Sequence, residues 1–117
     1  MIRFGHTEIF VREPLISKDF YEKILGFDLV EVQNDKFVWL RLGENLFLLR
    51  PGKNDLQVNE YRNSNSGFVL YTDDLDKTKS EFISRGLEFK GTDGSENCLT
   101  FTDPDSNWFQ LVNPEHS

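Results

Sequence analysis

Apolar and polar residues alternate with a period of two from Ile2 to Val11, which predicts an opening strand. His6, Glu8 and Phe10 fall on one side of it, and Thr7, Ile9 and Val11 on the other. The period then lengthens. Ile16, Phe20 and Ile24 recur every fourth residue, with Tyr21 and Leu25 beside them, the apolar stripe of a helix. Glu13-Pro14 opens that helix, since proline at the first helical position gives up an N–H that would be unpaired there anyway, and Gly26 is its stop. Short strands are predicted at about 28–33, 36–42 and 45–50, with turns at Asn34-Asp35 and Gly43-Glu44. Residues from about 52 to 66 are polar and rich in Asn and Ser, and read as a linker. Beyond it a strand at 67–73 leads to a helix at about 75–85. Asp74 is its cap, Leu75, Phe82 and Ile83 its inner side, and Gly86 its end. Strands at about 87–92, 97–102 and 107–113 complete the chain.

The order is βαβββ, twice. The expected fold class is α+β: one domain over 1–117, with module one at about 1–51 and module two at about 67–117. A half-sheet with one helix cannot bury both its faces. The two modules are therefore expected to build one curved mixed sheet, a cup with the helices on its convex side. Strand alternation puts His6, Glu8, Phe10, Phe37, Trp39, Arg41, Phe47, Leu49, Gly67, Val69 and Tyr71 on the concave side. Cys98, Thr100, Thr102, Trp108, Gln110 and Val112 join them there. The opposite parity (Val38, Leu40, Leu48, Phe68, Leu70, Leu99, Phe101, Phe109, Leu111) is uniformly apolar and suits packing under helices.

Composition narrows the function. Eleven Phe, three Tyr and two Trp in 117 residues supply enough apolar area for a core. A formal net charge of −7 would repel a phosphate backbone, so no nucleic acid is expected as partner. The chain has no Lys/Arg run for an anionic membrane surface and no apolar stretch near the ~18 residues of a span. It enters its first strand without a basic start and apolar run, so no signal peptide is expected. The single cysteine, Cys98, allows no internal disulfide and fits a cytoplasmic location.

Two motifs in this order carry a family resemblance. Phe20-Tyr21 followed by Leu25-Gly26-Phe27 is similar to "FYxxxLGF", and Asp103-Pro104-Asp105-Ser106-Asn107 to "DPDGN". With the repeated βαβββ order, the chain resembles the vicinal oxygen chelate superfamily of glyoxalase I, bleomycin-resistance proteins, fosfomycin-resistance enzymes and extradiol dioxygenases. The resemblance implies four positions facing a divalent metal, on the first and last strands of each module. They match His6, Phe47, Gly67 and Gln110 here. Phe and Gly offer no lone pair, and one imidazole with one neutral amide is a poor set for Zn²⁺ or Mn²⁺. No metal site and no cofactor are therefore expected. His6 reads instead as hydrogen-bonded to Glu8 or Gln110.

The expected site is a small-molecule pocket with apolar walls and few orienting groups: His6, Glu8, Phe37, Trp39, Arg41, Phe47, Tyr71, Trp108 and Gln110. Trp39 and Trp108 could stack on a planar or cationic ligand, and Arg41 could anchor an acid group or pair with Glu8. No serine nucleophile with a base at recognisable spacing is present. Cys98 reads as a small buried hydrophobe, and Asp103-Pro104-Asp105 as a turn. The resemblance thus implies a metal-free binding protein of the bleomycin-resistance type, with cationic drugs among its candidate ligands, working as a homodimer. The alternative is a divergent metal-dependent lyase, isomerase or dioxygenase in which His6, Glu8 and Gln110 hold the metal together. A ligand-free partner domain is the third reading.

Overall fold

The computed structural model describes residues 1–53 and 57–115. The chain divides into two compact units, Met1–Asp55 and Leu56–Ser117.

Unit one runs β1 (Thr7–Val11), α1 (Pro14–Asp19), a π-helical turn (Phe20–Ile24), then β2 (Asp28–Gln33), β3 (Phe37–Leu42) and β4 (Asn45–Pro51). Its mixed sheet has the order β1-β4-β3-β2, with β1 parallel to β4 and the other pairs antiparallel. The opening strand is shorter than the alternation predicts, and for its first residues the partner strand runs out. Thr7 lies opposite Phe47, so the same register carried back would set Phe4 against Glu44, in the β3–β4 turn. The predicted helix is also not uniform. Leu25 N–H reaches the Phe20 carbonyl at 3.2 Å, and Phe27 N–H the Tyr21 carbonyl at 2.8 Å. These widened bonds carry the fully buried Tyr21 ring against Phe27 (5.4 Å between centroids), which in turn meets Phe47 at 5.1 Å. α1 packs on β3 and β4, over Ile9, Val11, Val38, Leu40 and Leu49, all buried. Each such aliphatic chain contributes about 1.5–3 kcal/mol by leaving water.

That core corrects the predicted face of β4. Phe47 and Leu49, expected beside Trp39, lie on the helix side, opposite Leu40 and Val38. The cause is the length of the hairpin loop. Gly43-Glu44 is a two-residue turn, so Leu42 pairs with Asn45 and even positions of β3 share a face with odd positions of β4. Leu46, Leu48 and Arg50 therefore share the face of Phe37, Trp39 and Arg41.

Unit two runs β5 (Phe68–Tyr71), α2 (Leu75–Ser84), β6 (Cys98–Thr102) and β7 (Trp108–Val112), in the sheet order β5-β7-β6. The Asp74 carboxylate caps α2 by accepting from Lys77 N–H at 3.1 Å. The helix ends where Leu87 and Gly86 N–H bond back to the carbonyls of Phe82 and Ile83. Phe68, Phe101 and Phe109 stack along the helix side, and Phe82 of α2 meets Phe101 edge-on at 6.3 Å. The strand predicted at about 87–92 does not form. Gly91 sits at φ +111°, a left-handed conformation that breaks an extended run. What remains is a bridge between Thr92 and Leu99, with Lys90 N–H on the Thr100 carbonyl and Thr100 N–H on Gly91.

The Asp103–Asn107 loop is a built turn. Asp103 is buried. One of its carboxylate oxygens accepts from Asp105 and Asn107 N–H at 2.8 and 2.9 Å, and the other from the Asn107 side-chain amide at 2.8 Å. In the predicted linker, Tyr61–Asn63 forms a short 3₁₀ turn; linker positions 54–56 lie outside the described residues. Among the described residues no helix is long and apolar enough to cross a membrane.

Candidate functional site

Each unit has a face turned away from its helix, and the sequence-predicted site residues divide between these two faces. On unit one, β1 contributes Glu8, with His6 just ahead of it. β3 contributes Phe37, Trp39 and Arg41, and β4 contributes Arg50. The side chains of Arg50, Glu8, His6 and Trp39 form one continuous chain of hydrogen bonds and one ring contact. Arg50 Nη1 donates to Glu8 Oε1 at 2.9 Å, and the other Glu8 oxygen, Oε2, lies 2.9 Å from His6 Nε2. The imidazole stands edge-on to Trp39, 4.8 Å between centroids. Trp39 Nε1 donates to Gln33 Oε1 at 3.0 Å, and Gln33 Nε2 to Glu31 Oε2 at 3.2 Å. All four strands of the sheet are linked in this way.

The guanidinium of Arg50 also lies near two aromatic rings, Phe10 at 5.3 Å and Phe37 at 5.9 Å from its central carbon. Hydrogen bonds from His6 first and Arg50 second hold the Glu8 carboxyl below its ordinary range, against a smaller opposing effect of burial. The sequence pairing of Glu8 with Arg41 is therefore replaced by Glu8 with Arg50. Among the described residues Arg41 has no ion-pair partner, and it is exposed. Phe47 is absent from this face, as described above. Arg50, Gln33 and Leu48 are present on it and were missed; the two-residue turn at Gly43-Glu44 was the signal that places Leu48 and Arg50 there.

Unit two carries Tyr71, Trp108 and Gln110. Val69 lies opposite Gln110 and Tyr71 opposite Val112 in the parallel pair, so these side chains share a face with Trp108, as alternation predicted. Tyr71 is 73% exposed, whereas Trp108 is 2% and Gln110 8% exposed. Tyr61, from the 3₁₀ turn, covers part of this face. It meets Trp108 edge-on at 6.3 Å, and its hydroxyl occupies the space that a Cβ at Gly67 would take. Residue 67 can be nothing larger than glycine while Tyr61 stays in place. Beside Tyr61 is a recess of about 420 Å³, lined also by Lys90, Asp93 and Thr100. Lys90 Nζ is held at 2.9 Å by the Thr102 hydroxyl.

The metal positions implied by the resemblance change in one place. Val69 pairs with Gln110 as Glu8 pairs with Leu48, so the register equates Gln110 with Leu48 and not with Phe47. Leucine has no donor either. Near His6 in unit one the added candidate is Glu8, and both its oxygens are committed, one of them to a fixed cation. Among the described residues no group of three or more His, Cys, Asp or Glu gathers where a metal could be held. These residues do not fit a resident divalent metal.

The profile of one family matches residues 3–111, under the description Glyoxalase/Bleomycin resistance protein/Dioxygenase superfamily. The chain belongs to this superfamily. Among curated proteins, this superfamily member is 30% identical to a lactoylglutathione lyase of Schizosaccharomyces pombe, over 94% of its own length and 44% of that protein's; it spans less than half of that relative. Among solved structures it resembles lactoylglutathione lyase from Agrobacterium tumefaciens, with TM-score 0.73 and 15% identity, covering 97% of this chain and 95% of that one. It also resembles the fosfomycin resistance protein FosX from Listeria monocytogenes, solved with Mn(II) and sulfate. There the TM-score is 0.77 and the identity 14%, over 97% of this chain and 91% of the other. At these identities the structural likeness establishes the glyoxalase-like α+β fold.

Proposed function

We propose that this superfamily member is a metal-independent small-molecule binding protein. The observation that carries the reading is the closed chain Arg50–Glu8–His6: the carboxylate and imidazole that would serve a metal already serve a guanidinium and each other. Around that chain stand Phe10, Phe37 and Trp39, apolar walls with a few orienting groups. A planar ligand would stack on Trp39 and Phe37. The net charge of −7 favours encounter with a cationic one by long-range attraction, and the rings would hold it, since Glu8 is already paired with Arg50. The working form is a homodimer, to be read by light scattering on the eluting protein.

Calorimetric titration with a cationic glycopeptide antibiotic tests the drug-binding version. The expected result is saturable heat that Trp39→Ala weakens by about tenfold, the scale of one lost aromatic stacking partner. No heat at high micromolar ligand eliminates that version.

A second reading, lactoylglutathione lyase activity, rests on the 30% identity to the yeast protein across 94% of this chain. Turnover of lactoylglutathione by the metal-supplemented protein, lost in His6→Ala, would establish it in place of the first. The donor set described above predicts no turnover.

A further inference from the structure

The guanidinium of Arg50 is placed where it decides what else His6 and Glu8 can hold. It comes from a neighbouring strand, in register with Phe10, and reaches diagonally to the Glu8 carboxylate. Its guanidinium lies over Phe10 and Phe37, whose rings limit where the charge can go. Its Nε is buried and has no hydrogen-bond partner among the described residues, so within them the side chain is not arranged to satisfy all its own donors. What the arrangement does satisfy is Glu8. One carboxylate oxygen faces a permanent cation, and the other faces the imidazole. A divalent ion approaching this pair would meet a carboxylate already neutralised, with a positive charge beside it. At such separations like charges repel strongly wherever water is partly excluded.

We propose that Arg50 is a charge lock: its guanidinium occupies the electrostatic place of a divalent cation at His6 and Glu8 and keeps metal out of unit one. This rests on the metal-independent reading above and gives it a residue. The lock is a property of one side chain. Removing its charge should open the pair, and keeping the charge on a different side chain should leave it closed.

The test uses Mn²⁺ as a paramagnetic probe and reads the ring proton signals of His6 by NMR, with the other histidine of the chain, His116, as internal reference. In the wild type, His6 should broaden no more than His116 as Mn²⁺ is added. Arg50→Leu keeps an apolar side chain beside Phe10 and Phe37 and removes the charge; in it, His6 should broaden selectively at about tenfold lower Mn²⁺ or less, the scale on which neighbours of a ligand alter metal affinity. Arg50→Lys should behave as the wild type, and Glu8→Gln added to Arg50→Leu should abolish the gain. Circular dichroism confirms that each variant is folded.

Selective broadening of His6 in the wild type overturns both the lock and the metal-independent reading. An Arg50→Leu protein that is folded and gains nothing overturns the lock alone. A failed antibiotic titration bears only on the ligand.

Discussion

In unit one the face away from the helix carries charge: Glu8, Arg41 and Arg50 on three strands and His6 just ahead of the first, with the side chains of His6, Glu8 and Arg50 30%, 34% and 40% exposed. In unit two the corresponding face carries Trp108, Gln110 and Thr100, which are nearly inaccessible, with the Tyr61 ring laid against Trp108. The first three strands follow the same order in both sheets, and in each unit a position matching a metal ligand, His6 or Gly67, is already engaged by a neighbour. The physics of closure differs. Unit one closes its pair electrostatically, by a guanidinium on the carboxylate. Unit two closes position 67 sterically, by a phenol where a side chain would begin. An electrostatic closure is reversed by one charge. A steric closure is reversed by moving or removing the intruding ring.

Substitutions can break this contrast. The largest effect is expected from Asp103→Ala. It strips three hydrogen bonds to a buried carboxylate from a part-buried turn, which should destabilise the protein to denaturant by about 3 kcal/mol. Gly67→Ala should follow, at about 2 kcal/mol, because the new methyl displaces Tyr61 from a packed position. The sharper result is the double-mutant cycle. In a Tyr61→Ala background, Gly67→Ala should lose most of its effect, and additive losses would show that Tyr61 does not close this position.

Glu8→Gln should act through pH. The folded-state pKa of Glu8 is depressed, so its contribution is present above the unfolded value of about 4.5 and disappears as pH falls through the lower folded value. Stability of the wild type should therefore fall more steeply than that of Glu8→Gln as the solution is acidified below about pH 4.5; parallel acid limbs in denaturant titrations would count against the Arg50–Glu8–His6 chain. The smallest effect is a gain. Ser106 sits at φ +67°, where glycine is unstrained, so Ser106→Gly should raise stability by about 0.5 kcal/mol, net of its added freedom in the unfolded chain.

Much of this contrast was legible in the sequence, and the errors share a cause. The repeat of a strand, a helix and further strands could be read because periods of two and four alternate cleanly, and because Asp74 and Pro14 mark helix starts. The faces of β5, β6 and β7 could also be read. The five residues between Thr102 and Trp108 are an odd number, so equal parity stays on one face. The face of β4 could not be read by parity alone, because the two residues between Leu42 and Asn45 invert it. That inversion removed Phe47 from the site and hid Arg50, the residue on which the metal question turns. Tyr61 was hidden differently. It lies in a segment without periodicity, and its position over Gly67 is a tertiary contact with no local signature.

The account depends on unit one holding no metal when the protein is made in its presence. Elemental analysis of protein purified without chelator, from cells grown with added Mn²⁺, Ni²⁺ and Zn²⁺, measures this directly. The predicted result is metal well below one ion per chain and the same in His6→Ala; one ion per chain, lost in that variant, would contradict it.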